Sequence, residues 1–585
     1  MPNNKTHSIL VVADAFGKPA YNPRLRSLCD YLTAQGWLVE VYTEQFEPLP
    51  FPHAYPITEI PVYTHRPLDW FFKMLATVLF DWKSRFFAKQ LRRHIANKQY
   101  DLVLVSTFLP TPLRAAYEAS QTHHIPLHID LRDIDEQTPT NQYQAHRRWH
   151  LRMVEQLFRT INIRRRNKFL TKADSISSVS PWHVDFLHRW NTNVHLIYNG
   201  FDEQQFAPKN IQTDTFRIVY TGRIYDAALQ DPSLFFRALQ EMQQEGTLPT
   251  PMTVDWYTDE AGKARVMQMA KTTGTETLMH FHPFVPTDAV PDLLHLSSIV
   301  LVASRKSSDQ GPHGIMTTKF FEALGVEKPV LCVPSDEECL AQVIAETNAG
   351  LAATTTAQIK TFLLEQYAKW QANGYTRQNT NPDTRQHFSR QYQARQFEQV
   401  LLSTLAARQQ HYTLVDICWT LFYSNTTYDF LHIRGNRFNS LLYKLFRCDL
   451  IRSRAIRRFN RYTREQQQAQ AEQFYTDYLL PRKITPVWKM IEGKEIILVS
   501  QTMDIIAETV ARHIGAQTYH ALPNKEDILR RYTDFDIITD NLSDIALIRQ
   551  AKKATVITYN NRSRWEHLLP TNSNITYIET GREKY

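Results

Sequence analysis

Short apolar runs rich in β-branched residues recur along this chain, and most are followed by a segment with helical spacing. SILVVA (8–13), a helical stretch at 25–35 and WLVEVYT (37–43) read as strand, helix, strand. LVLVS (102–106), a helix at 111–120 and PLHIDL (126–131) repeat the order, and 175–179 and 195–197 add two strands. Parallel neighbours need a long crossover, usually a helix, so this alternation predicts an α/β fold built on parallel sheets. A second set follows, with strands FRIVYT (216–221), TVDWYT (253–258), HFHPF (280–284), SIVLVAS (298–304) and PVLCVP (329–334) and helices at 233–244 and 317–326. A third opens at YTLVDICWTLF (412–422), then inserts a long helical segment (425–490) before IILVS (496–500) and DIITD (536–540). The expected organisation is three domains, 1–205, 206–408 and 409–585, the last with a helical cap at about 425–490. The polar stretch 371–394 reads as a linker or an exposed helix.

The 585 residues exceed what one core usually holds, and 43% hydrophobic with 22% charged is globular composition. A net charge of +8 is too small to argue for nucleic acid, and none is expected as a partner. Only 16 residues are glycine, and neither G-x-G-x-x-G nor G-x-x-x-x-G-K-[ST] occurs, which removes the best evidence for a dinucleotide or P-loop site. Five cysteines (Cys29, Cys332, Cys339, Cys418, Cys448) form no C-x-x-C pair, which fits a reduced compartment. The first residues lack the apolar core of a signal peptide, and no apolar run is long enough to cross a bilayer. The expected location is cytoplasmic, with peripheral contact at an inner membrane face.

The most informative segment is GPHGIMTTKFFEALGVEKPVLCVP (311–334). A polar loop runs into a helix near Thr317, whose free N–H groups suit a phosphate. Lys319 in the first turn adds charge. Glu322, one turn on, could accept hydrogen bonds from ribose hydroxyls. An ordinary amphipathic helix with a solvated Lys and Glu accounts for the spacing equally well. Asp14, ending the first strand, reads as a ligand at the sheet edge or as a loop cap.

This segment resembles the donor-binding signature of retaining, family-4-like GT-B glycosyltransferases, G-x-x-x-x-K-x-x-E-x-[LM]-x-x-x-x-P-V. VSPWHVDFL (179–187), HLIYNGFDEQQF (195–206), VYTGRIYD (219–226) and LHIDLRD (127–133) resemble other family segments in the same order. The resemblance covers roughly 7–405. It implies two Rossmann-like domains with a nucleotide-sugar donor between them. It also implies a glycan or lipid-linked acceptor in bacterial surface polysaccharide or lipopolysaccharide assembly, and no cofactor at this site. By it, Glu322 binds the donor ribose, Lys319 and Arg223 neutralise the diphosphate, and Asn199, Gly200 and Asp202 shape the cleft. Asp133 stands near the acceptor as the candidate catalytic carboxylate. Two departures stand out: Gly314 occupies the donor-loop position where the family often has a second Glu, and no Lys follows Arg223 closely. His313 beside it reads as a solvated loop histidine.

A second constellation lies at 412–570. VDICWTL places Asp416 at a strand end with Thr420 four residues on; IILVS ends in Ser500; LPNKEDIL holds Lys525; DIITDNLSD holds Asp540 and Asp544. In order these resemble the motifs of the HAD phosphohydrolase superfamily, in its phosphoserine-phosphatase-like branch. The resemblance implies Asp416 as nucleophile, Thr420, Ser500 and Lys525 on the phosphoryl group, and Mg²⁺ on Asp416, Asp540 and Asp544. Cys418 replaces the family's second Asp, the general acid/base. A thiol with pKa ~8.5 serves poorly in that role, and a small buried side chain in an inactive scaffold is the plainer reading. Two alternatives follow for the whole chain: the HAD-like unit is the working enzyme, or the protein is a catalytically impaired scaffold.

Three stretches combine aromatic and basic residues. Residues 69–98 have helical periodicity and no acidic residue from 83 to 98; 147–172 carries nine Lys and Arg; 432–465 carries ten. Cationic, aromatic amphipathic helices suit an anionic lipid surface. Core aromatics under a solvated charged face are the usual alternative.

Overall fold

The computed structural model describes residues 6–14, 16, 23–45, 53–62, 67–138, 149–225, 229–308, 311–433, 449–521, 525–569 and 574–581. Three parallel sheets carry the fold. The first takes β1 (Ser8–Ala13), β2 (Leu38–Glu44), β3 (Ile57–Ile60), β4 (Leu102–Thr107), β5 (Leu127–Leu131), β6 (Ser175–Ser178) and β7 (Val194–Leu196), in the order β3-β2-β1-β4-β5-β6-β7. The second takes β8 (Phe216–Thr221), β9 (Met252–Tyr257), β10 (Met279–His282), β11 (Ile299–Ala303), β12 (Val330–Val333) and β13 (Gly350–Ala352), ordered β10-β9-β8-β11-β12-β13. The third takes β14 (Tyr412–Val415), β15 (Ile496–Ser500), β16 (Thr518–Ala521), β17 (Phe535–Thr539), β18 (Ala554–Thr558) and β19 (Ile575–Glu579), ordered β16-β15-β14-β17-β18-β19. Each winds outward from its first strand and then reverses. The reversals, at β1/β4, β8/β11 and β14/β17, are where a crevice opens beyond the carboxyl ends of the strands.

The chain divides into two compact units, 1–404 with the first two sheets and 405–585 with the third. Helices cover both faces of the central strands, so β1, β4, β11 and β12 are buried along their whole length apart from Ser8. In the second sheet Phe235, Phe236, Trp256 and Leu363 fill one face, and Phe320, Leu324 and Ile344 the other. The 405–585 unit has its own cores, around Leu498, Ile506 and Phe474 and around Leu414, Val556 and Trp565.

The helix Arg390–Gln409 ties the first unit together. Its Glu398 accepts hydrogen bonds from Trp37 Nε1 (2.8 Å) and Tyr31 Oη (3.1 Å), and Thr404 Oγ1 meets Ser175 Oγ at 2.7 Å. Beneath it, Arg24 Nη1 holds both oxygens of buried Asp130 (2.8 and 2.9 Å), which also accepts from Ser106 and Ser177. Phe201 pairs through its backbone with Phe388 (3.0 Å) and Arg390 (2.7 Å). A Cβ on Gly200, at φ +64°, would lie 2.8 Å from the Phe388 carbonyl, so this close approach requires glycine.

Several expectations change. The stretch 69–98 is two helices, Pro67–Phe80 and Trp82–Ile95, broken at Asp81 with φ 56°. The strand opening at 412 ends at Val415, because the chain turns at 416–424. Residues 371–394 hold the end of helix Thr356–Asn373, a short helix Pro382–Gln386 and the start of Arg390–Gln409. The inserted segment of the third sheet is helical, with Thr426–Ile433, Asp449–Phe459, Arg464–Phe474 and Thr485–Ile491; part of the basic stretch 432–465 lies outside the described residues. No helix among the described residues is long and apolar enough to cross a membrane.

Candidate functional site

At the β8/β11 crevice, β8 ends at Thr221 and Gly222 follows at φ +111°. Lys319 lies in the first turn of helix Thr318–Gly325, and its side chain reaches back over this turn. A Cβ on Gly222 would sit 2.8 Å from Lys319 Cε and 2.9 Å from Nζ, so glycine serves both the backbone and the space. Lys319 Nζ also stands 5.5 Å from the Tyr220 ring centre. Glu322 lies one turn along the same helix. Both groups keep some solvent access but are ringed by protein. Desolvation lowers the Lys319 pKa and raises that of Glu322 to about 7, against weaker opposing help from Lys319 and Arg390. Arg390 Nη1 lies 4.0 Å from Asp202 Oδ2. The strand-like pairing of 201 with 389 thus sets Arg390 beside Asp202, where its charge also acts on Glu322. Asn199, half-buried, precedes the Gly200 turn. The motif reading missed Arg390, and the pairing that places it leaves no local mark in the sequence.

Arg223 is exposed and otherwise engaged: Nε lies 3.4 Å from Asp259 Oδ2, and the guanidinium lies 5.9 Å from the Phe284 ring centre. Asp259 also caps helix Glu260–Thr273, accepting from Gly262 N at 2.8 Å.

Gly314 is left-handed, φ +59°, and a Cβ there would fall 2.6 Å from Ser180 Oγ and 2.7 Å from Trp182 Cβ. A glutamate cannot stand at this position without moving the loop. Glu338 supplies the loop's carboxylate instead, accepting from Gly314 N (2.7 Å) and Ser307 Oγ (2.9 Å) and meeting His313 Nδ1 at 3.0 Å. His313 is not a solvated loop residue. Its ring stacks on Trp182 (5.1 Å, 5°) and its backbone N–H donates to Gln137 O at 2.7 Å. Gln137 in turn touches His183 Nε2 (2.7 Å) and hydrogen-bonds Asp133. Asp133 is solvent-accessible yet ringed by protein, and desolvation raises its pKa. Asp14 is a loop cap: it accepts from Arg132 Nη2 (2.8 Å), Thr107 Oγ1 (3.0 Å) and Phe108 N (3.3 Å).

A second cluster stands at the β14/β17 crevice. Asp416 follows β14, is buried, and accepts from Ile417 N at 2.7 Å. Asp540 follows β17; Thr420 Oγ1 donates to its carboxylate (3.2 Å) and accepts from its N–H (3.1 Å). Burial, and then the neighbouring Asp416 charge, raise the Asp540 pKa well above the carboxylate range. The Asp544 charge adds a smaller rise at Asp540. Asp544 is buried and accepts from Thr539 Oγ1 at 2.7 Å, and among the described residues no three of His, Cys, Asp and Glu converge as a metal-binding group. Cys418 Sγ lies 3.1 Å from Thr426 Oγ1 and 4.0 Å from Ser500 Oγ. Burial pushes its thiol up to about 12, so it stays protonated. Lys525 opens the helix Lys525–Arg531, but its side chain lies outside the described residues.

Residues 23–205 match the family model described as Glycosyltransferase Family 4. No curated protein matches the chain. Among solved structures, sucrose-phosphate synthase from Thermosynechococcus elongatus aligns with 68% of this chain and 100% of its own, at 16% identity and a TM-score of 0.48. HepE from Anabaena in complex with UDP aligns over the same shares at 16% identity and 0.46. The lipopolysaccharide outer core galactosyltransferase WaaB, in its apo form, aligns over 68% and 99% at 11% identity and 0.44. At these distances no residue role is carried across.

Proposed function

We propose that the 1–404 unit is a glycosyltransferase that moves a sugar from a nucleotide-sugar donor to a glycan or lipid-linked acceptor. The observation that carries this reading is the convergence of Lys319, Glu322, Arg390 and Gly222 at the β8/β11 crevice. The Glycosyltransferase Family 4 match at 23–205 supports it from the other side of the unit. In it, Lys319 and the N–H groups opening its helix stabilise the departing diphosphate, while the sugar carbon gains oxocarbenium character. Glu322 accepts from the ribose hydroxyls, and Asp133 faces the acceptor. Glu338 holds the donor loop in place of a side chain at 314. Bacterial surface polysaccharide is the acceptor context that the motif resemblance favours. A thermal-shift screen of UDP-, GDP-, dTDP-, CMP- and ADP-sugars tests the reading, with wild type beside Glu322→Ala. One nucleotide should stabilise the wild type and not the variant; no shift with any donor sinks it.

For the 405–585 unit we propose a HAD-like phosphoryl-binding site centred on Asp416. Two carboxylates crowded at one strand edge fit a Mg²⁺ ion, which is commonly held by one or two carboxylates with water. Bound there, it would offset their mutual repulsion and the charge of a phosphate. With a protonated thiol at 418, the site is a poor hydrolase. Phosphate and Mg²⁺ together should raise its melting point in wild type and not in Asp416→Asn; equal shifts in both would remove the site.

A further inference from the structure

Three helices of the first unit turn an unusual set of side chains to solvent. Among the side chains described, those exposed on Pro67–Phe80 are Phe72, Leu75, Leu79 and Phe80. On Trp82–Ile95 they are Arg85, Lys89, Arg92 and Arg93. On Trp149–Leu170 they are Met153, Gln156, Leu157, Thr160, Arg164 and Lys168, apolar toward one end and basic toward the other. Among the described residues of these helices, no Asp or Glu is exposed. The apolar side chains are well out in solvent: Phe80 is 66% exposed, Phe72 and Met153 63%, Leu79 60% and Leu157 58%.

The three helices meet at one corner. Asp81, in its left-handed turn, joins the first to the second and lies 3.3 Å from Arg114 Nε and 3.5 Å from Arg165 Nη1. Arg165 also donates to the last carbonyls of the first helix, Thr77 O (2.9 Å) and Val78 O (2.8 Å). The corner's carboxylate is therefore taken up by inward pairs, while Leu79, Phe80, Arg85 and Arg164 start from the same place and face outward. Large apolar side chains rarely gather on a surface that stays in water. Rimmed by cations, with no exposed anion among the described residues of the three helices, they match a layer that is apolar below and negatively charged above.

We propose that this face docks on an anionic lipid bilayer, with Phe72, Leu79, Phe80, Met153 and Leu157 entering the headgroup–acyl boundary and Arg85, Lys89, Arg164 and Lys168 contacting lipid phosphates. The surface is independent of the donor site: Glu322→Ala should leave it untouched, so its test stands even if no sugar nucleotide binds. The full chain is sedimented with vesicles of phosphatidylcholine alone, or of phosphatidylcholine and phosphatidylglycerol in equal parts. Wild type should bind the mixed vesicles and release in high salt. Phe72→Ser/Leu79→Ser/Phe80→Ser and, separately, Arg85→Gln/Lys89→Gln/Arg164→Gln should each weaken binding about tenfold or more, with melting temperature unchanged. Failure of the wild type to bind overturns the proposal, as does equal binding to neutral vesicles or binding unaffected by both variants. A self-association in solution that the serine variant abolishes would assign the face to a second copy and overturn it as well.

Discussion

Gly314 and Glu322 differ in how far their roles could be read from the chain. Glu322 stands in a recognisable spacing behind Lys319, and the structure places both at the crevice. Gly314 is a departure from that spacing whose reason lies elsewhere: Ser180 and Trp182, far back in the sequence, occupy the space a side chain would need. Glu338 and Arg390, which bring charge to the same loop and to Glu322, come from later elements and carry no motif. Two outcomes follow. Gly314→Glu should not restore a donor contact; its left-handed backbone alone costs about 1–3 kcal/mol, with the collision in addition, read as a lowered denaturation midpoint. Glu322 should make stability fall as pH rises. Its native carboxyl keeps its proton up to about 7, whereas an unfolded glutamate loses it near pH ~4.3, so the native state binds more protons in between. Glu322→Gln should therefore gain about 1–3 kcal/mol at pH 8 and nothing below pH ~4, while weakening nucleotide binding. Equal denaturation curves at pH 8 would contradict the burial that sets this pKa.

Among the elements, central strands were the legible ones. SILVVA, FRIVYT and IILVS match β1, β8 and β15 to the residue, because strands covered on both faces read as unbroken apolar runs. Edge strands β3 and β16 are half-exposed and mixed with polar residues, β19 is likewise mixed, and β13 has three residues, so none shows such a run. β18, ATVIT, is the exception: fully buried, it carries the apolar signal, but AKK and YNN flank it closely. The helix Arg390–Gln409 has almost no sequence pattern pointing to its partners, yet it lies over the Arg24–Asp130 pair, with Arg24 5.4 Å from the Phe397 ring centre. Asp130→Ala would strand a buried guanidinium with Arg132 also nearby, and should cost about 3–5 kcal/mol in chemical denaturation. Glu398→Ala removes the acceptor for Trp37 and Tyr31 and should cost about 1–2 kcal/mol. It should also speed proteolysis within 390–409 under native conditions; unchanged cleavage there would mean that the other contacts hold the helix alone.

For the molecule as a whole, the sequence carries three rounds of strand and helix, and the chain gathers them into two units, because the first two sheets share one closing helix while the third builds its own cores. Units with separate cores melt as separate cooperative steps, so scanning calorimetry of the full chain should show two transitions. Binding stabilises only the state that binds, by RT ln(1 + [L]/Kd), which is about 2.7 kcal/mol at a hundredfold excess over Kd. The right sugar nucleotide should therefore raise the transition of the 1–404 unit and leave the other in place, and Glu322→Ala should cancel that shift. Magnesium with phosphate should act on the 405–585 transition alone, and Asp416→Asn should cancel it. A sugar nucleotide that raised the 405–585 transition instead would reverse the assignment of the two sites. Glu322 would then become a buried carboxyl in a structural helix, and the chain's chemistry would move to Asp416.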